Sequence, residues 1–181
     1  AVVGIAITVI ILAFAGKRLW YLVSVARSGK PAVGRLVDPT ARVTAEATEV
    51  LGQRKLLKWT VPGLAHVFAF WGFLVLGLTI LESFGALFVS DFGVPIIGGW
   101  PVVGFLEDLF GLLVLVGIGI FALLRATNNP AKMGRASRFF GSHTKGAWLI
   151  LFMIFLVVAT LFLYRGAQSA LGNLPFESGA F

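Results

Sequence analysis

The stretch Ala147-Trp-Leu-Ile-Leu-Phe-Met-Ile-Phe-Leu-Val-Val-Ala-Thr-Leu-Phe-Leu-Tyr164 decides the fold, because it carries no charged side chain. A run of this length spans about 27 Å as a helix, close to the ~30 Å hydrocarbon core of a bilayer. Three further runs share its character, and the four predicted spans cover residues 2–25, 61–89, 102–124 and 147–164. The first holds only if Lys17 and Arg18 extend their charged ends to the interface. It reads as a span and not as a signal peptide, since those two basic residues follow the apolar run instead of preceding it.

Composition agrees. Of the 181 residues 58% are hydrophobic and 13% charged, and the mean hydropathy is +0.94; soluble domains hold about a quarter charged residues. The expectation is an all-α integral membrane protein of about four transmembrane helices in a bundle, forming a single domain over 1–181. The chain has no cysteine, so it cannot by itself hold a disulfide, a thiolate metal site or an iron–sulfur cluster.

The net charge of +7 reads as topology and not as nucleic-acid binding. Every lysine and arginine except Arg165 falls beside the first span or in the two long connections, Arg27 to Lys58 and Arg125 to Lys145. Glu82, Asp91, Glu107, Asp108 and Glu177 lie toward the opposite side. The positive-inside rule then places both basic loops in the cytoplasm and both termini outside. Trp59 and Trp148 would mark the inner interface, and Trp100 and Tyr164 the outer one.

The first loop has its own pattern. Asp38-Pro39-Thr40 is a turn and helix start, and Val43, Ala47, Val50 and Leu51 recur at helical spacing among polar residues. This predicts a surface helix over about 40–53. The segment from Phe92 to Pro101 is punctuated by Gly and Pro and reads as a tight interfacial turn.

Two histidines exist. His66 lies seven residues beyond Trp59, about 10 Å deeper along a helix, where an ionisable group is costly and points to function. Gly63, Phe70, Phe73 and Gly77 fall on its face by spacing. The glycines would admit a flat macrocycle, the phenylalanines would pack against it, and imidazole is a common axial ligand of haem iron. The competing reading has His66 bonded to a neighbouring helix and the glycines serving helix contacts. His143 falls on the water side of Trp148. It would sit about 15 Å or more from the depth of His66, so it is a weaker metal candidate and reads as a solvated residue opening the fourth helix.

Arg54, Lys55 and Lys58 could pair with propionates at the surface or simply be positive-inside residues. Glu82, Glu107 and Asp108 could exchange protons beside a quinone or help cap the third helix. No phosphate loop, nucleophile–base pair or paired carboxylate inside the membrane is apparent.

The stretch Glu49-Val-Leu-Gly-Gln-Arg-Lys-Leu-Leu-Lys58, continuing into Pro62-Gly63-Leu64-Ala65-His66-Val-Phe-Ala-Phe70-Trp-Gly72-Phe73, resembles the b-type membrane domain of cysteine-rich iron–sulfur oxidoreductases. That group is related to the gamma subunit of nitrate reductases and to the membrane subunit of heterodisulfide reductases. Gly104 to Asp108, Ser137 to His143 and Tyr164 to Gln168 add to the likeness, which covers roughly Glu49 to Gln168. Within the group the reductases that pass electrons from electron-transfer flavoprotein to menaquinone are most similar. The resemblance implies haem b on His66, quinone as substrate in the cytoplasmic membrane, and iron–sulfur clusters in a downstream or partner domain docked on the cytoplasmic side. It also implies further helices with more histidines, so that this chain would be the N-terminal part of a longer protein and the second axial ligand would lie elsewhere. The alternatives are a cofactor-free anchor or assembly subunit of a redox complex and, less well matched by so few mid-membrane polar residues, a transporter fragment.

Overall fold

The computed structural model describes residues 2–29, 38–89 and 92–174. Among these there is no strand, and four helices are long and apolar enough to cross a membrane. They are α1 (Val2–Arg27), α4 (Thr60–Gly85), α5 (Pro101–Thr127) and α7 (Thr144–Leu171). The shorter elements are α2 (Pro39–Glu46), a π-helical turn (Ala47–Leu51), α3 (Arg54–Leu57), α6 (Pro130–Met133) and a 3₁₀ turn (Gly134–Ala136). The protein is an all-helical, multi-pass membrane protein. Asp91 and Glu177, and the basic residues Lys30 and Arg35, lie outside the described residues.

The chain divides into two compact units, residues 1–48 and 49–181. In the first, α1 has no buried residue. Its threonine and serine hydroxyls, with that of Ser28 just past its end, are satisfied by local carbonyls: Thr8 donates to the Gly4 carbonyl, Ser24 to Tyr21 and Ser28 to Val25. A helix that turns apolar side chains outward and bonds its threonine and serine hydroxyls to its own carbonyls suits lipid, with exposed Lys17 and Arg18 as its charged positions before Arg27. The Arg18 guanidinium lies 5.3 Å from the ring centre of Tyr21. Next, α2 begins where the Asp-Pro-Thr signal places it. Asp38 Oδ1 accepts from the Ala41 N–H at 2.9 Å, and Pro39 occupies the first turn, where its missing N–H costs nothing.

The second unit is built on α4, α5 and α7. Proline opens α5 directly after Trp100, and Pro62 sits in the first turn of α4. The end of α7 is set by Gly172 at φ 70°, where the N–H groups of Gly172 and Asn173 return to the carbonyls of Ser169 and Gln168. This arrangement needs the left-handed backbone that glycine adopts without strain. The helix thus runs seven residues past Tyr164, beyond the predicted span. At the other boundary α4 stops at Gly85, short of Val89, where a ring from Phe92 packs against the glycine.

Small residues let α4 and α5 approach closely. A side chain at Gly72 would collide with Val114, and one at Gly117 would come within 2.8 Å of the Ala65 carbonyl oxygen. Gly111 receives the ring of Phe162 from α7, with a Cβ there meeting it at 2.9 Å. Lipid tails are as apolar as leucine, so helices in a bilayer gain little from hydrophobicity and associate through such close packing. Leu76, Val114, Ile118 and Val158 form the centre of the bundle.

The bundle has two chemically distinct ends. At the basic end, the Arg138 guanidinium lies 4.8 Å from the ring centre of Trp59, which immediately precedes α4. Arg125 similarly covers Phe139 at 4.3 Å. Ser137 is buried there, its hydroxyl donating to the Asn128 carbonyl and accepting from the Phe139 N–H. The opposite end holds buried carboxylates.

Candidate functional site

At the basic end, residues 49–58 fold back beside the start of α4. Gln53 lies at φ 51° and ψ 26°, a left-handed conformation uncommon outside glycine. It closes a helical run, α2 and the π turn, that covers Pro39–Leu51 and so most of the surface helix predicted over about 40–53. Beyond that run the chain passes through Gln53 into α3, and the Gln53 side chain is buried. The Gln53 amide nitrogen donates to the Val50 carbonyl at 2.8 Å, and its Oε1 lies 2.7 Å from His66 Nδ1.

Those two contacts fix the protons. A flipped amide would set an oxygen against the Val50 carbonyl oxygen, two acceptors with no hydrogen between them. With Oε1 facing the imidazole, the hydrogen bond requires the proton to sit on Nδ1. In the neutral ring Nε2 then carries the lone pair. His66 itself is exposed, on a face of α4 away from the buried residues Ala65, Gly72 and Leu76.

The expected companions of His66 divide. Phe73 is 72% exposed, and a side chain at Gly77 would meet nothing within 4 Å, so an open strip continues from His66 along α4. Phe70 is partly buried and packs edge-on against Trp71 at 5.8 Å. Gly63 departs from the expectation. It is buried, and a Cβ there would strike the Leu56 carbonyl. Its missing side chain makes room for the chain's own α3 turn, not for a macrocycle. Arg54 and Lys58 are exposed beside that same turn. Lys55 forms a long ion pair with Glu49 at 3.9 Å. His143 is exposed and directly precedes α7, its carbonyl accepting from the Ala147 N–H.

The second polar centre lies about 24 Å farther along α4, by the helical rise from His66 to Glu82. Arg165 Nη2 donates to Glu82 Oε2 at 2.6 Å and also to Glu107 Oε2. All three residues are buried, and they tie α7 to α4 and α5. Arg165 Nη1 reaches Gln168 Oε1 at 3.3 Å, and Gln168 Nε2 donates to the Tyr164 hydroxyl at 3.0 Å. The free side of Glu82 accepts a long bond, 3.5 Å, from the Val94 N–H of the following loop. Thr79, fully buried, sits beside the Glu107 carboxyl. Neither Thr79 Oγ1 nor Glu107 Oε1 has a partner in hydrogen-bond geometry among the described residues.

This centre corrects two expectations. Glu107 does not cap α5, which has no acidic residue in its first turn and no side-chain cap. Glu82 and Glu107, read separately as acids toward the side opposite the basic loops, form one buried ionic cluster with Arg165. Asp108, by contrast, is exposed and lines a groove of about 640 Å³ between α5 and α7, together with Phe105, Phe162, Arg165 and Ser169.

Sequence reasoning gave Arg165 and Gln168 no role and treated Gln53 as a polar position on a surface helix. Arg165 did carry a signal, being the one cation on the acidic side of the chain.

No family model, curated protein or solved structure matches the chain.

Proposed function

We propose that the chain is a membrane electron-transfer domain, carrying electrons through haem b between a cytoplasmic iron–sulfur or flavoprotein donor and the menaquinone pool. It would belong to a quinone-linked oxidoreductase of the cytoplasmic membrane. The resemblance to the b-type membrane domains motivates the reading. The observation that carries it is the state of His66: an imidazole inside a membrane helix, held at Nδ1 by a buried amide, with Nε2 presented on an exposed face. Metal-ligating histidines characteristically donate their other ring N–H to such an acceptor.

The residues present would supply one histidine ligand to the iron. His66 Nε2 would hold the iron, Phe73 and Gly77 leave the adjoining strip of α4 open, and Arg54 and Lys58 would serve the propionates at the basic end. A second histidine ligand would come from outside this set, as the resemblance implies. When bound, haem b supplies one-electron redox chemistry; the protein supplies position, ligation and a low-dielectric surround. In this reading the basic loops face the cytoplasm, with electron-transfer flavoprotein as the donor that the resemblance implies. The groove at Asp108 offers an aromatic-lined space with polar groups for a quinone ring.

The test is reduction of the membrane-embedded, haem-supplied protein by a menaquinol analogue, followed at the haem Soret band, in wild type and His66→Ala. Reduction in wild type and no haem in His66→Ala are expected. Haem retained in full by His66→Ala refutes the ligand, and a wild type without haem favours the cofactor-free anchor.

A further inference from the structure

We infer that Gln53 is the positioning residue of His66, fixing the imidazole as its Nδ1–H tautomer and so directing the Nε2 lone pair outward as the ligand atom. The haem half of this inference rests on the proposed function; the tautomer half does not.

The turn Ala47–Leu51 is π-helical, a wide turn found mostly as single insertions and often at functional sites. It ends three residues before α3, with Gln53 in the left-handed conformation between them. For a non-glycine residue that conformation is held only when its surroundings favour it. What the surroundings gain here is the placement of one side chain. Gln53 is 4% exposed, its amide nitrogen held by Val50 and its oxygen aimed at a histidine thirteen residues later.

Neighbouring packing keeps the arrangement closed. Gly63, one turn before His66 on α4, lets the Leu56 carbonyl lie against the helix, so the segment carrying Gln53 sits flush with it. The Leu56 and Leu57 N–H groups both return to the Gln53 carbonyl at 3.0 Å. The chain therefore spends a strained residue, a buried amide and a glycine on one imidazole nitrogen. A histidine that needed only solvation would gain nothing from this, since its exposed face already meets its surroundings. Histidine free in water favours the Nε2–H form, in which Nδ1 carries the lone pair. Gln53 reverses that preference, which is what a ligand acting through Nε2 requires.

The test uses the intact, haem-free chain in membranes or nanodiscs, so that no iron on Nε2 dictates the tautomer, labelled with ¹⁵N-histidine at a pH where imidazole is neutral. His143→Gln assigns the two resonances. Wild type is expected to show a proton on His66 Nδ1. Gln53→Met, close in shape but without the acceptor, should shift the population to Nε2–H. Gln53→Glu gives up the Val50 bond yet keeps an oxygen toward His66, and should retain the Nδ1 proton. A purely structural role would make the two variants behave alike.

Haem loading gives the second readout. Gln53→Met should lose haem at least about tenfold faster, the scale on which outer partners of metal ligands act. The midpoint potential should move upward in Gln53→Met and downward in Gln53→Glu, by about 59 mV for each tenfold change in the oxidised-to-reduced ratio. Nε2–H as the main wild-type form, or identical behaviour of the two variants, overturns the role of Gln53 whether or not haem binds. The expected tautomers in a protein that takes up no haem would uphold Gln53 and overturn the electron-transfer reading instead.

Discussion

Removing Arg165 should destabilise the bundle more than any other single polar change. The Arg165 side chain is 9% exposed, and those of Glu82 and Glu107 are 4% and 2% exposed. Solvent therefore screens the cluster little. At an effective dielectric of about 20, two unit charges ~4 Å apart attract by ~4 kcal/mol. Arg165 faces two such charges, but it also incurred a desolvation cost on burial, so the net loss is smaller than twice that value. Breaking a buried pair by deleting one partner typically costs about 3–5 kcal/mol, and Arg165→Leu leaves two carboxylates facing each other. We expect a loss of ~4 kcal/mol, read by reversible unfolding of α7 from α4 and α5 in mixed micelles. The control is the triple variant Arg165→Leu, Glu82→Leu, Glu107→Leu. With the charges gone it should recover most of the loss, because apolar replacement of a whole buried cluster is often neutral. An Arg165→Leu protein within ~0.5 kcal/mol of wild type would refute the reasoning, as would a triple variant no more stable than the single one.

Three further outcomes are expected. Gly117→Val places a branched side chain against the Ala65 carbonyl, which as backbone cannot move aside. Overpacking of this kind costs about 1–3 kcal/mol, and cross-linking between α4 and α5 should weaken accordingly. Gly63→Ala drives the Leu56 carbonyl away and with it the Gln53 segment, so the His66 proton signal should follow Gln53→Met while the spans stay inserted. The chain has no cysteine, so single cysteines report topology cleanly: Ser142→Cys should react with an impermeant thiol reagent from the cytoplasmic side and Gly172→Cys only from the opposite side, as the positive-inside rule requires.

The helices were legible because the bilayer imposes a physical length on any span, and an uncharged run such as Ala147 to Tyr164 meets it. Their ends were less legible. Hydropathy falls at Arg165 and Gln168, yet α7 continues through both because each finds a partner inside the bundle. A sequence window cannot register that, since Arg165 pairs with residues 58 and 83 positions away. Glu82 and Glu107 were noticed, but as separate acids near helix ends; only the packing of three helices around one guanidinium joins them.

His66 stood out for a sound reason, the cost of an ionisable group in a membrane helix. Its partner did not. Helical periodicity over residues 40–53 assigned Gln53 to the polar side of a surface helix, and nothing in spacing announces a π turn followed by a left-handed residue. Gly63 shows the same difficulty from the other side. Its position on the His66 face was readable, but whether a cofactor or the chain's own backbone fills the space depends on a turn that periodicity does not describe.

The most direct test of the central claim is a reduced-minus-oxidised absorption spectrum of the protein purified from haem-supplied membranes, in wild type and His66→Ala. The account predicts the α and Soret difference bands of a b-type haem in wild type and their loss in a normally inserted His66→Ala protein. A wild type without those bands, or a His66→Ala protein that keeps them unchanged, would contradict it.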